Sequence, residues 1–124
     1  MRTRENKDLV VRLIEEVWNA GALDMLPELW ADQTRGEATA MRDILINAFP
    51  DLHVEIDDLI AEDDRVVARL SFNGTHRGDF RGIAPTGRPV TFSAIRIYRV
   101  SREKIVETWA VQDALGLLGQ LKAA

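Results

Sequence analysis

Asp113 has the neighbours that matter most for chemistry in this chain. It stands four residues after Trp109 in Trp109-Ala110-Val111-Gln112-Asp113. Side chains alternate along a strand, so even spacing puts Trp109, Val111 and Asp113 on one face if the strand runs that far. A carboxyl group against an indole and an aliphatic wall loses solvation of its charged form, and its pKa rises. Such a group can remove a proton and later return one. The position has a second reading, because a short helix opens at once with Ala114, Leu115, Gly116 and Leu117. Aspartate is a favoured helix N-cap.

Arg96 and Tyr98 lie on the preceding strand. If Val100 pairs with Ile105, Arg96 faces Trp109 and Tyr98 faces Glu107 on the same side of the sheet. Arg96 would then stabilise an enolate or orient a substrate carboxylate. The alternatives are an ion pair with Glu107 or Asp113, or plain solvent exposure. His76 belongs to a glycine-rich connection, where it is either a proton shuttle or a turn residue bonded to backbone. His53 alternates outward from Leu52 and Val54. Trp18, Trp30, Phe72, Phe92, Tyr98 and Trp109 are the candidate walls of an apolar pocket, and the first four are equally plausible as plain core.

Several functions are disfavoured. The two histidines stand apart from any acid cluster, so no metal site is expected. Asp57-Asp58 and Glu62-Asp63-Asp64 lack the spacing of a calcium loop and read as solvated turns. The glycines from Gly74 to Gly87 are followed by no Gly-Lys-Ser/Thr and no helix, unlike a phosphate loop. No nucleophilic serine motif occurs. Net charge is −4 with acids and bases interleaved, so nucleic acid is not an expected partner. No run of about 18 apolar residues appears, so no membrane span is expected. The absence of cysteine and of an apolar signal core fits a cytoplasmic protein. Asn73-Gly74-Thr75 then reads as a turn or a chance match to the glycosylation pattern.

The chain has 124 residues, 46% apolar and 29% charged, enough for one domain with its own core. Leu9, Val10, Leu13, Ile14, Val17 and Trp18 recur at helical spacing, with Asn6 able to cap the start and Gly21 as the end. A short helix from Asp24 carries Pro27 in its first turn. A third starts at Thr34-Arg35-Gly36-Glu37, which has capping-box spacing, and buries Met41, Ile44, Leu45 and Ala48. From Leu52 the period becomes two, and Asp58 breaks the phase as a bulge would. Further strands follow at 66–73, 90–100 and 104–112. Helices first and hairpin-linked strands second imply an α+β domain, with the helices on one side of an antiparallel sheet.

In order along the chain, several segments resemble the SnoaL-like polyketide cyclase family. They are Arg4 to Trp30, Ala48-Phe49-Pro50-Asp51-Leu52, Ile60 to Val66, Gly74-Thr75-His76-Arg77-Gly78-Asp79-Phe80, Gly82 to Gly87, Lys104-Ile105-Val106-Glu107-Thr108-Trp109 and Asp113 to Leu118. The resemblance implies the nuclear transport factor 2-like fold over residues 1–124, a cone-shaped α+β barrel around an apolar pocket, and a homodimer. It implies intramolecular aldol closure or a related isomerisation of a small apolar carbonyl compound, with no metal or cofactor and with Asp113 as the acid/base. A non-catalytic ligand-binding module and an epoxide hydrolase-like member are the alternatives. In this family a longer stretch with a strand and a histidine usually follows the second helix. Here Trp30-Ala31-Asp32-Gln33-Thr34 runs almost directly into the third, so one pocket wall is expected to be missing or rebuilt.

Overall fold

A computed structural model describes residues 2–122 of the chain. Helix α1 (Arg2–Arg12) continues into a π-helical segment, Leu13–Asn19. There the Ala20 N–H reaches back five residues to the Glu15 carbonyl at 3.0 Å. Val10, Leu13, Ile14, Val17 and Trp18 form its buried stripe, and Gly21 leaves the helix at φ +75°. Asn6 is not a cap. It lies inside α1, and its side chain donates to the Asp63 carbonyl at 3.4 Å.

Helix α2 (Leu26–Leu29) follows a single 3-10 turn and buries Leu26 and Leu29. Trp30 is then extended and forms a parallel bridge with Ile105. The Ala31 N–H donates to the Ile105 carbonyl at 2.8 Å. Helix α3 (Asp32–Ala48) starts two residues before the expected capping box. The Thr34 hydroxyl is therefore inside the helix and bonds elsewhere. It accepts from the Trp30 indole N–H at 2.6 Å and donates to the Val106 carbonyl at 3.1 Å. The short segment after Trp30 is thereby pinned to the sheet edge.

The strands are β1 (His53–Glu62), β2 (Arg65–Thr75), β3 (Pro89–Ser101) and β4 (Lys104–Gln112). They form one antiparallel sheet in the order β1-β2-β3-β4. The register shifts between Ile56 and Asp58, where the alternation breaks in the sequence. Val66, Ala68, Leu70 and Phe72 of β2 and Phe92, Ala94, Arg96, Tyr98 and Val100 of β3 are buried on the concave face. Aromatic rings fill much of that face. Phe72 stacks on Phe92 at 4.9 Å, Trp18 meets Phe72 edge-on at 5.8 Å, and Phe49 lies 6.2 Å from Phe92. Each such ring contributes about 2–3 kcal/mol by leaving water.

Helix α4 (Ala114–Lys122) buries Leu117 and Leu121 and closes the end of the cone. β4 reaches only as far as Ala94 along β3. Beyond that point Gln120 replaces a strand: its amide accepts from the Thr91 N–H at 3.0 Å and donates to the Thr91 carbonyl at 2.7 Å. Among the described residues no helix is long and apolar enough to cross a membrane.

Candidate functional site

Arg96 is a charged side chain buried on the concave face. It is 8% exposed, and its Nε is buried without a hydrogen-bond partner. Its guanidinium lies over the Trp18 ring, 5.9 Å from the centroid. A cation on an aromatic face gains an electrostatic attraction, but that does not satisfy the N–H donor. Among the described residues no ion pair includes Arg96. The expected partners are engaged elsewhere: Glu107 binds Arg99 at 2.6 Å, and Asp113 caps α4.

The residues around Arg96 follow from sheet register. Ala68 stands opposite it on β2, and Ala110 on β4. Ala94 and Tyr98 flank it on its own strand. Three of these four neighbours present only a methyl group. Tyr98 is fully buried, and its ring meets Trp30 edge-on at 6.2 Å. Burial pushes its phenol up to about 12, against a smaller downward pull from Arg96, so it stays a neutral donor at ordinary pH. Thr108 stands opposite Tyr98, and its hydroxyl is buried without a partner. Ala110 is exposed on the same face, which makes the β4 edge the open side of the site. Two surface grooves lie away from Arg96. One of about 450 Å³ lies between α1 and the β3–β4 turn, and one of about 410 Å³ lies beside Asn19 and His53–Ile56.

Val100 does pair with Ile105, yet Arg96 does not face Trp109. The register shifts immediately afterwards: Arg99 pairs with Glu107, Tyr98 with Thr108 and Ile97 with Trp109. Val106 is the additional residue of a bulge, and it turns the rest of β4 over. Trp109, 44% exposed, therefore lies on the convex face under the Arg65 guanidinium. Val111 shares that face and is exposed. Thr108 and Ala110 take the concave positions instead, and without the bulge nothing in the sequence singles them out.

Asp113 is exposed at the end of β4. Its Oδ1 accepts the Gly116 N–H at 2.9 Å, and its own N–H donates to the Ser93 carbonyl. A Cβ at position 116 would lie 2.2 Å from Asp113 Oδ2, so glycine makes room for the cap. His76 is fully buried. Its Nδ1 accepts the Thr86 N–H at 3.2 Å, which puts the proton of the neutral ring on Nε2. Nε2 is buried without a partner. Ring contacts run from His76 through Phe49, Phe92 and Phe72 to Trp18, whose ring lies under the Arg96 guanidinium. Trp30, Phe72 and Phe92 are packed interior. Among the described residues no group of three or more His, Asp and Glu is placed to hold a metal.

Helices over the concave face of one bent antiparallel sheet, with a short helix closing its end, define the cone-shaped α+β fold of the nuclear transport factor 2-like superfamily. The model of the SnoaL-like polyketide cyclases matches residues 8–121, and the chain belongs to that family. No curated protein matches it. Among solved structures it is similar to AclR, a candidate hydroxylase of Streptomyces galilaeus, with 28% identity and a TM-score of 0.88 over 98% of this chain and 83% of that one. It is similar to IdmH, a candidate polyketide cyclase of Streptomyces antibioticus, with 28% identity and a TM-score of 0.84 over 94% of this chain and 97% of that one. A candidate polyketide cyclase of Bacillus cereus shares 29% identity with a TM-score of 0.78, over 94% of this chain and 80% of that one.

Proposed function

We propose that this protein is a cofactor-independent acid/base enzyme of cyclase or isomerase type, acting on a small, largely apolar carbonyl compound. One observation carries the reading: the buried, unpaired Arg96 guanidinium on the concave face. A fixed cation in a water-poor site stabilises negative charge on a substrate oxygen far better than water does. Tyr98 remains protonated and is the neutral donor beside it. Asp113, the base that the family resemblance implies, stands at the end of the strand that borders the open side and must release its cap on the Gly116 N–H to reach substrate. The base takes a proton from the carbon next to a carbonyl, and Arg96 holds the resulting enolate. In a cyclase the enolate carbon attacks a second carbonyl of the same molecule, and the new alkoxide takes a proton back.

Deuterium exchange into a panel of aryl ketones and 1,3-dicarbonyl compounds, followed by NMR, tests enolisation directly. The protein should accelerate exchange for at least one compound, and Arg96→Gln should remove the acceleration. Acceleration that survives Arg96→Gln would sink the reading. A second reading has its own observation. The concave positions of the four strands hold no carboxylate, and Asp113 is committed to its cap. That arrangement favours a non-catalytic binder of the same ligands, for which no compound would exchange faster than in buffer.

A further inference from the structure

We infer that the ligand carries its negative charge before any reaction, as a carboxylate on an apolar, ring-bearing skeleton, and that this carboxylate docks on Arg96. The inference rests on the reading of Arg96 as the group that meets substrate. It goes further by giving the resting ligand a charge of its own, which Arg96 holds before any enolate forms.

Burying a guanidinium without an anion is costly, because its hydration is lost and nothing replaces it. Arg96 is in that condition, with Nε unsatisfied. Its opposite neighbours, Ala68 and Ala110, supply neither an acceptor nor bulk. The donors around the site are unbalanced in the same direction. The Thr108 hydroxyl, diagonal to Arg96 on the same face, is also buried without a partner. The Tyr98 phenol keeps its proton. A guanidinium fork flanked by hydroxyls suits a carboxylate, which offers two oxygens to the fork and further lone pairs to the hydroxyls. One cation among alanines and aromatic rings fits a single charge on an apolar body better than a phosphate, which would bring nearly two charges. The β4 edge supplies the way in. Ala110 is exposed on the concave face while Ala68 and Ala94 beside it are buried, so Ala110 marks the side from which a ligand would approach Arg96.

Calorimetric titration with 2-naphthoate and with 2-naphthamide, its uncharged isostere, tests this. Naphthoate should bind at least tenfold more tightly than the amide. Arg96→Gln should abolish the preference, and Arg96→Lys should retain part of it. Ala110→Leu, at an exposed position that leaves the core intact, should block both ligands and decides the matter should the arginine variant fail to fold. Equal affinity for the acid and the amide, or naphthoate binding unchanged in Ala110→Leu, would overturn the inference. Equal affinities combined with Arg96-dependent exchange would remove the carboxylate and leave the enolate reading standing. Tight naphthoate binding without any exchange activity would do the reverse.

Discussion

Tyr98 and Asp113 make separable claims at the scale of single residues. Tyr98 is the one tyrosine of the chain, so absorbance of the phenolate reports it alone. Burial raises its pKa from 10.0 to about 12. Between those values the unfolded chain has released the proton and the folded chain has kept it. Its contribution to stability is therefore complete below pH 10 and disappears as pH rises through about 12. Two pKa units correspond to roughly 3 kcal/mol. Urea midpoints should fall between about pH 9 and 12 more steeply for the wild type than for Tyr98→Phe, and parallel curves would contradict the burial of the phenol. Asp113 offers a cleaner separation. Asparagine caps a helix as well as aspartate does, whereas alanine loses about 1 kcal/mol. Asp113→Asn should melt like the wild type and Asp113→Ala several degrees lower. If Asp113 is the base, both variants lose exchange activity. Full activity in Asp113→Asn would reduce the residue to a cap.

The connection from His76 to Arg88 makes the next prediction at the scale of elements. It folds back on the C-terminus of α3, where the Arg77 and Gly78 N–H groups both donate to the Ala48 carbonyl, at 3.0 and 3.1 Å. A Cβ on Gly78 would lie 2.0 Å from the Asn47 carbonyl oxygen. That clash is with backbone and cannot be relieved by a rotamer, so Gly78→Ala should cost about 1–3 kcal/mol or more. Gly82, at φ +86°, has open space around it, so Gly82→Ala should cost only the backbone strain, about 1 kcal/mol. Denaturant titration reads both, and the reverse order would refute this packing of the connection. The two bulges explain what the sequence revealed and what it hid. Asp58 breaks an alternating pattern with a charge, so the β1 bulge is legible. The β4 bulge falls at Ile105-Val106, where either residue suits either face. No polar residue marks the slip, and every side chain from Glu107 to Gln112 is assigned to the wrong face by simple alternation. The helices, strands and hairpin order survive that error because they depend on period. The site does not survive it, because it depends on phase.

The convex face argues for a partner at the scale of the whole molecule. One row of paired residues, Ile60, Val67, Ile97 and Trp109, crosses all four strands. Ile95 and Val111 pair in the next row but one, beside Arg69. Ile60, Ile95, Trp109 and Val111 are all exposed, and α1 to α3 pack on the other side. The family resemblance implies a homodimer, and two features of the face suit a second copy of this chain as its cover. The first is size. Four strands about 4.8 Å apart and roughly ten residues long at about 3.3 Å each give a flat footprint of roughly 600 Å². That approaches the ~800 Å² per partner of an ordinary stable interface once side-chain relief is counted. The second is charge. The ions flanking the apolar row are paired, Arg69 to Asp58 at 2.7 Å and Arg99 to Glu107 at 2.6 Å, and the face's remaining glutamates, Glu55 and Glu62, stand on the edge strand β1. Two identical faces related by a two-fold axis can then meet along the apolar row without bringing an unpaired charge into its centre. Sedimentation velocity should show a dimer for the wild type. Trp109→Glu, which puts a charge in the row, should show a monomer with an unchanged far-UV spectrum. The same substitution should leave naphthoate binding intact, because Trp109 lies across the sheet from Arg96. A wild-type monomer at every concentration, or a dimer that Trp109→Glu does not weaken, would place the contact elsewhere. Loss of naphthoate binding along with the dimer would mean that the open β4 edge needs the partner to keep its shape.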